Sequence, residues 1–233
     1  MATGRLYGLG LGPGDPELVT LKALRILRAA PVVAYPAPEH GDSFARRIVA
    51  EWIDPTQREI RILFPMRPGP PPAAIYDRAA ADLAAVMDAG EDIAYLCQGD
   101  PLFYGSFAGI LTRLAARYSV TVVPGVSSLT ACAAAALEPL VQRDATLAVI
   151  PAGLSEDELA TRLLASEFAA VIKLGRHFEK LRRVLLRLGL LDDALYVERA
   201  SLPTQLVAPL ATVDPASVPY FATALVRGRG RGA

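Results

Sequence analysis

The sequence predicts two successive α/β domains, the first on a mostly parallel sheet and the second on a mixed sheet. Two features lead there, and length permits it. Short apolar runs alternate with helix-period segments through the first part of the chain, the pattern of a parallel sheet covered on both faces. The pattern then restarts, and "ALYVERAS", "LVAPLATV" and "YFATALVRG" follow one another without an intervening helical segment, which points to antiparallel pairing. A chain of 233 residues is long enough for two small cores. The expected domains are 1–140 and 141–233, with the join near Glu138 to Arg143.

The elements follow in order. "RLYGLGLG" reads as a buried strand entering a tight loop. Asp15 is a natural cap, Pro16 suits the first helical position, and "ELVTLKALRILRAA" continues at helical spacing. "PVVAYP" is a strand, and "GDSFARRIVAEWI" is a helix capped by Asp42 or Ser43 with Phe44, Ile48 and Trp52 on one face. "EIRILFPM" is a strand, the prolines of "RPGPPPAA" forbid regular structure, and "AIYDRAAADLAAVMDAG" is a helix stopped by Gly90. "DIAYLCQGDPLFYGSF" is a strand running into a Gly-Asp-Pro loop, and "AGILTRLAARY" is a helix. "SVTVVPGVSSLTACAAAALEPL" gives a strand, a Pro-Gly turn and a helix of small residues. In the second half, "TLAVIPAG" is a strand and "SEDELATRLLA" a helix whose Ser155 and Glu158 form a capping box. "AAVIKLGR" is a strand, "HFEKLRRVLLRLGL" is a helix ending near Gly189, and the tail "GRGRGA" is expected to be disordered.

Composition narrows the function. The 24 basic residues balance 24 acidic ones, so no net field favours nucleic acid. Cys97 and Cys132 lie far apart, which fits a reducing compartment, and no apolar run reaches membrane-spanning length. The expectation is a soluble cytoplasmic protein with no membrane or nucleic-acid partner. His40 and His177 are the only histidines, so no multi-histidine metal site exists, and no G-x-S-x-G supplies a nucleophilic serine. Both histidines read as loop or helix-cap residues, and Cys97 as a small buried thiol.

Three glycine turns carry the chemistry. The first, "GLGLGPGDP", fails both phosphate templates. G-x-G-x-x-G would need glycine at Pro13 or Asp15, and a P-loop would need G-K-[ST], whereas Lys22 follows Leu21. Asp15 at a helix start also repels an anion. Two readings of this loop stand: a tight strand-to-helix turn, or a backbone that must run close to a ligand. The second turn, "CQGDPLFYG", and the third, "VVPGVSS", also end strands. In an open parallel sheet all three share the carboxyl edge, where ligands bind.

In that order and spacing, "GLGLGPGDPELVTLKA", "YLCQGDPLFYGSF" and "VVPGVSS" resemble the tetrapyrrole methylases, and "VIKLGRHFEKL" and "ALYVERASLPTQ" resemble that family's second domain. The resemblance implies S-adenosylmethionine as methyl donor, two α/β domains with the cofactor in a cleft between them, and a homodimer. "GDPLFYGSF" with "PGVSS" is most similar to the members that methylate precorrin-2 at C20 in cobalamin synthesis. One departure is Gln98, where an acidic residue is expected in many of those relatives.

The resemblance assigns cofactor binding to Gln98, Gly99, Asp100, Leu102, Ser127, Ser128, Leu174, Arg199, Ala200, Ala222 and Thr223. Gly10, Gly12, Pro13 and Gly14 then face the tetrapyrrole. Asp15 is both a cap and a candidate charge near the reacting ring, and Tyr104 is a candidate contact. The substrate's acetate and propionate arms call for basic residues, with Arg46 and Arg67 first and Arg61, Arg47 and Arg176 behind them. Transfer from a sulfonium is an in-line displacement, so positioning suffices without a catalytic His or Cys cluster. The alternatives are the cobalt-bound form of the same substrate, another corrin-ring methylase, or a non-catalytic nucleotide-binding module.

Overall fold

A computed structural model describes residues 3–65 and 72–228. Arg67 and the tail from 229 onward therefore lie outside the described residues. The chain divides into two compact units, Met1–Ser127 and Ser128–Ala233.

The first unit holds strands β1 (Leu6–Gly10), β2 (Val32–Pro38), β3 (Arg58–Phe64), β4 (Ile93–Cys97) and β5 (Val120–Val123). They form one sheet in the order β3-β2-β4-β1-β5, and every pairing is parallel. Helices α1 (Leu21–Ala29) and α2 (Phe44–Ile48) pack on one face, and α3 (Ala73–Asp88) and α4 (Phe107–Leu114) on the other. β4 shows why its run reads as continuously apolar. Ile93, Tyr95 and Cys97 enter the α3/α4 core while Ala94 and Leu96 enter the α1/α2 core, so both faces are covered.

The expected helix after the first loop is broken in two. Asp15 caps only a short 3₁₀ turn, Pro16–Leu18. Val19 and Thr20 then return to extended dihedrals, and α1 starts afresh with the Thr20 hydroxyl accepting from Ala23 N at 3.2 Å. A second N-cap thus competes successfully with helix propagation. The next helix is likewise shorter than its pattern: capped by Ser43, α2 ends at Ile48, and Ala50–Trp52 form a 3₁₀ turn.

The second unit opens with α5 (Ser128–Ala136), followed by β6 (Leu147–Pro151), α6 (Glu156–Leu164), β7 (Phe168–Ile172), α7 (Phe178–Leu188), β8 (Ala194–Glu198), β9 (Leu206–Pro209) and β10 (Ala222–Arg227). Its sheet runs β6-β7-β10-β8-β9, with β6 and β7 parallel and the other pairs antiparallel, so the sheet is mixed. The units divide earlier than the 140/141 join expected from sequence. The reason is α5, whose Ala131 and Cys132 pack with Val197 of β8 and with Ala200 just beyond it. On the opposite face, Leu159 and Leu163 of α6 and Phe178, Leu181, Val184 and Leu185 of α7 fill the main core. Fully buried side chains of this size contribute about 1.5–3 kcal/mol each. The Ser155–Glu158 capping box is present at α6, and α7 stops at Gly189 with φ +67.

Candidate active site

β1 sends its chain to α1 on one face of the first sheet, and the adjacent β4 sends its chain to α4 on the other. This divergence is the topological switch point, and the loops beyond the strand ends there form the expected ligand position. β5 flanks β1 on its other side, so the three glycine turns become neighbours.

They are held at backbone distance. Gly12 and Gly99 form an antiparallel bridge, with Gly99 N donating to Gly12 O at 2.7 Å and Gly12 N to Gly99 O at 3.3 Å. A Cβ on Gly10 would stand 2.4 Å from Gly125 N, and one on Gly125 would stand 2.2 Å from Gly99 O. Gly10 and Gly125 are therefore required by the approach of protein to protein. Gly99 differs: its φ is +67, and a Cβ there would meet nothing within 4 Å. The open space in this cluster lies over Gly99.

Asp100 locks the arrangement. Its Oδ1 accepts from Leu102 N at 2.9 Å and its Oδ2 from Gly125 N at 3.1 Å, joining the second turn to the third. Both oxygens face backbone donors, which gives this cofactor-binding candidate a structural task of its own. Beyond it, Leu102, Phe103 and Tyr104 are exposed, Tyr104 sits at φ +55, and the rings of Phe103 and Tyr104 meet edge-on at 5.0 Å. Gln98 is half-buried beside them, as is Ser127, while Ser128 is exposed at the start of α5. Gly10, Gly12, Pro13 and Gly14 are buried, so in the isolated chain they present little surface to a substrate. Asp15 is half-buried, with Oδ1 accepting from Glu17 N at 2.9 Å.

Three of the candidate arginines have partners within the protein. Arg46 forms a two-pronged pair with Glu59 at 3.0 and 3.1 Å, across the edge of the first sheet. That bond holds the Glu59 carboxyl below its usual range and commits the guanidinium to the protein. Arg61 donates to Gly41 O at 3.0 Å. Arg176 donates to His177 Nε2 at 3.4 Å, and burial together with the charges of Lys180 and Arg176 lowers the His177 pKa. His177 stands at the α7 cap position but makes no side-chain capping bond. Burial pushes the Cys97 thiol well up and the Cys132 thiol up to about 11, which removes both as thiolate nucleophiles at neutral pH.

The second unit gathers its own candidates at one sheet edge. β10 runs antiparallel to both β7 and β8, so its start lies beside their ends. Leu174 N donates to Ala222 O at 3.3 Å, and Arg199 N donates to Phe221 O at 3.2 Å. Leu174, Ala200, Ala222 and Thr223 are all buried, so this edge offers mainly backbone. Lys173, Arg199 and Ser201 have φ of +61, +50 and +72, although none is glycine. Backbone strain of this kind concentrates at functional sites.

Some residues escaped sequence reasoning. Glu198 is a buried carboxylate on β8, 8% exposed, which accepts from the Tyr196 hydroxyl and from Arg199 Nη1 at 3.3 Å. In sequence it looks like an ordinary charged strand residue. The exposed Tyr220–Phe221 pair before β10 and the exposed ring of Phe103 were also not singled out. Gly125 had a visible signal, the Pro-Gly turn, but its partner across the loops did not.

The chain is 45% identical over its whole length to the cobalamin biosynthesis protein CobIJ of Mycobacterium tuberculosis, of which it covers 47%. It thus spans about half the length of that relative. It is 39% identical to a precorrin-2 C(20)-methyltransferase of Sinorhizobium, over 98% of this chain and 97% of the other. A cobalt-precorrin-2 C(20)-methyltransferase of Salmonella typhimurium is 35% identical, over 96% of each chain. Among solved structures, a uroporphyrin-III C-methyltransferase of Thermus thermophilus complexed with S-adenosylhomocysteine is similar at a TM-score of 0.69 and 28% identity, covering 96% of this chain and 92% of the other. Residues 5–214 match the family model of the Tetrapyrrole (Corrin/Porphyrin) Methylases. The chain belongs to the tetrapyrrole methylases.

Proposed function

We propose that this chain transfers a methyl group from S-adenosylmethionine to C20 of precorrin-2, giving precorrin-3A in cobalamin biosynthesis. The observation that carries the reading is the near-full-length likeness to an enzyme named for that reaction. The residues fit such a ligand. The loop cluster leaves open space over Gly99, and the second unit presents small buried residues whose backbone lies at a strand edge.

In this reading Gln98, Gly99, Leu102, Ser127 and Ser128, with Leu174, Arg199, Ala200, Ala222 and Thr223, hold the methyl donor. Asp100 acts by fixing the second turn against the third. The first loop, Gly10 to Gly14, faces the macrocycle through its backbone, and Asp15 places a negative charge there. Tyr104 and Phe103 offer ring faces and edges to a flat conjugated substrate. Bound S-adenosylmethionine supplies an electrophilic methyl carried on a sulfonium. The chain's part is to align the nucleophilic ring carbon with that methyl and to exclude water, which well-positioned backbone and small side chains achieve. A homodimer in the cytoplasm completes the proposal, on the family resemblance alone.

The test is anaerobic incubation of the full chain with S-adenosylmethionine and either metal-free precorrin-2 or its cobalt form, followed by product mass. One methyl gained on the metal-free compound supports the proposal, once its position is mapped to C20. Gain on the cobalt compound alone favours the second reading, which the Salmonella relative motivates. No transfer to either overturns both.

A further inference from the structure

Glu198 carries an inference beyond the family's chemistry. A buried carboxylate is unfavourable unless its oxygens are satisfied. Here Oε2 accepts from the Tyr196 hydroxyl, and Oε1 accepts from Arg199 Nη1 at 3.3 Å. Burial and that carboxylate hold the Tyr196 phenol well above its ordinary range, so it remains a donor.

The Arg199 contact needs a special backbone. Neighbouring residues on a strand point to opposite faces, so side chains at 198 and 199 would ordinarily diverge. β8 ends at Glu198, and Arg199 takes φ +50, which ends the alternation and lets its guanidinium lie beside the carboxylate. Arg199 remains 43% exposed at the side chain, whereas Glu198 is 10% exposed. Among the described residues, Nε and Nη2 of Arg199 have no protein acceptor. A strained residue therefore holds a guanidinium at a fixed place with part of its donor fork open, and a buried anion orients it.

We propose that Arg199 receives a ligand carboxylate and that Glu198, fixed by Tyr196, is its positioning residue. Planar, forked donors of this kind match a carboxylate in two-pronged fashion. The inference rests on the methyltransferase reading, which supplies two sources of that chemistry: the amino-acid end of the methyl donor, and the acid arms of the tetrapyrrole.

The experiment compares the full-length wild type with Arg199→Asn and Glu198→Gln. Asparagine tolerates positive φ, so the first variant removes the guanidinium without adding backbone strain. Calorimetry measures binding of S-adenosylhomocysteine and of methylthioadenosine, the same nucleoside thioether without the amino-acid carboxylate. Methylation kinetics give KM and kcat for precorrin-2. If the carboxylate belongs to the methyl donor, Arg199→Asn weakens S-adenosylhomocysteine about tenfold or more and leaves methylthioadenosine within about twofold, with Glu198→Gln following in the same direction. If it belongs to the tetrapyrrole, both thioethers bind as before and KM for precorrin-2 rises about tenfold at steady kcat. Equal loss for both thioethers, or no change for any ligand, overturns the inference while wild-type methylation leaves the enzyme reading standing. A wild type that neither binds S-adenosylhomocysteine nor methylates overturns both.

Discussion

The two units bring backbone to a strand edge by opposite means. In the first, glycine does the work: Gly10 and Gly125 let three turns approach to distances no Cβ would permit. In the second, ordinary residues are forced into glycine-like dihedrals at Lys173, Arg199 and Ser201. The first solution surrenders side chains at the points of closest approach and keeps a left-handed non-glycine residue at Tyr104 on the second turn. The second accepts strain and keeps a lysine, an arginine and a serine at the edge. The difference teaches what the strain retains: the left-handed residues of the second unit keep their side chains at the edge, and Arg199 among them partners the buried Glu198.

The largest effect should come from Gly125→Ala. The new Cβ would stand 2.2 Å from Gly99 O and 2.7 Å from Gly10 Cα, all backbone atoms that cannot swing aside. We expect a loss of about 3 kcal/mol or more in urea unfolding, together with loss of methyl transfer. Wild-type stability would show that the three turns are not packed as described.

Asp100→Asn comes next. The amide retains one acceptor but turns a donor group toward either Leu102 N or Gly125 N, so one backbone bond is replaced by opposed donors. A loss of about 1–3 kcal/mol is expected, read from denaturant midpoints. A variant that loses cofactor binding at unchanged stability would instead make Asp100 a direct ligand contact.

Gly99→Ala separates dihedral need from close approach. Its Cβ meets nothing, so only the cost of φ +67 remains, about 1–2 kcal/mol. It should therefore be markedly milder than Gly125→Ala, and any excess loss of S-adenosylhomocysteine affinity would mark the space above Gly99 as the ligand's.

The second unit should respond with the reverse sign. Lys173→Gly relieves a left-handed dihedral and should leave stability unchanged or raise it by up to about 1 kcal/mol in thermal melts. A clear destabilisation would mean that the lysine side chain compensates the strain by its contacts.

The smallest effect concerns pH. Burial and two neighbouring cations depress the His177 pKa in the folded chain. Between the ordinary imidazole value of about 6.5 and the lower folded value, the unfolded chain binds more protons, so stability falls as pH drops through that window. Melts at about pH 7.5 and about pH 5.5 should show a slope that His177→Gln reduces.

Much of this architecture was legible because its signals are local. The Ser155–Glu158 box, the Gly189 stop, the alternation of strands with helices and the three helix-free strands at the end each express short-range chemistry. The ordered glycine turns were equally readable, and with them the family. Where local signals competed, reading failed: Asp15 and Thr20 both offer caps, and only packing shows that the chain pauses between them. The assignment of α5 to the second unit, the pairing of Arg46 with Glu59, and the meeting of Gly10 with Gly125 were likewise invisible. The sequence by itself thus determined element types, their order and the chemistry of the turns, since these depend on residues a few positions apart. Only the tertiary structure decided which glycine faces protein and which faces open space, and which arginine is already paired. Those properties belong to partners far apart in the chain, and no local pattern encodes them.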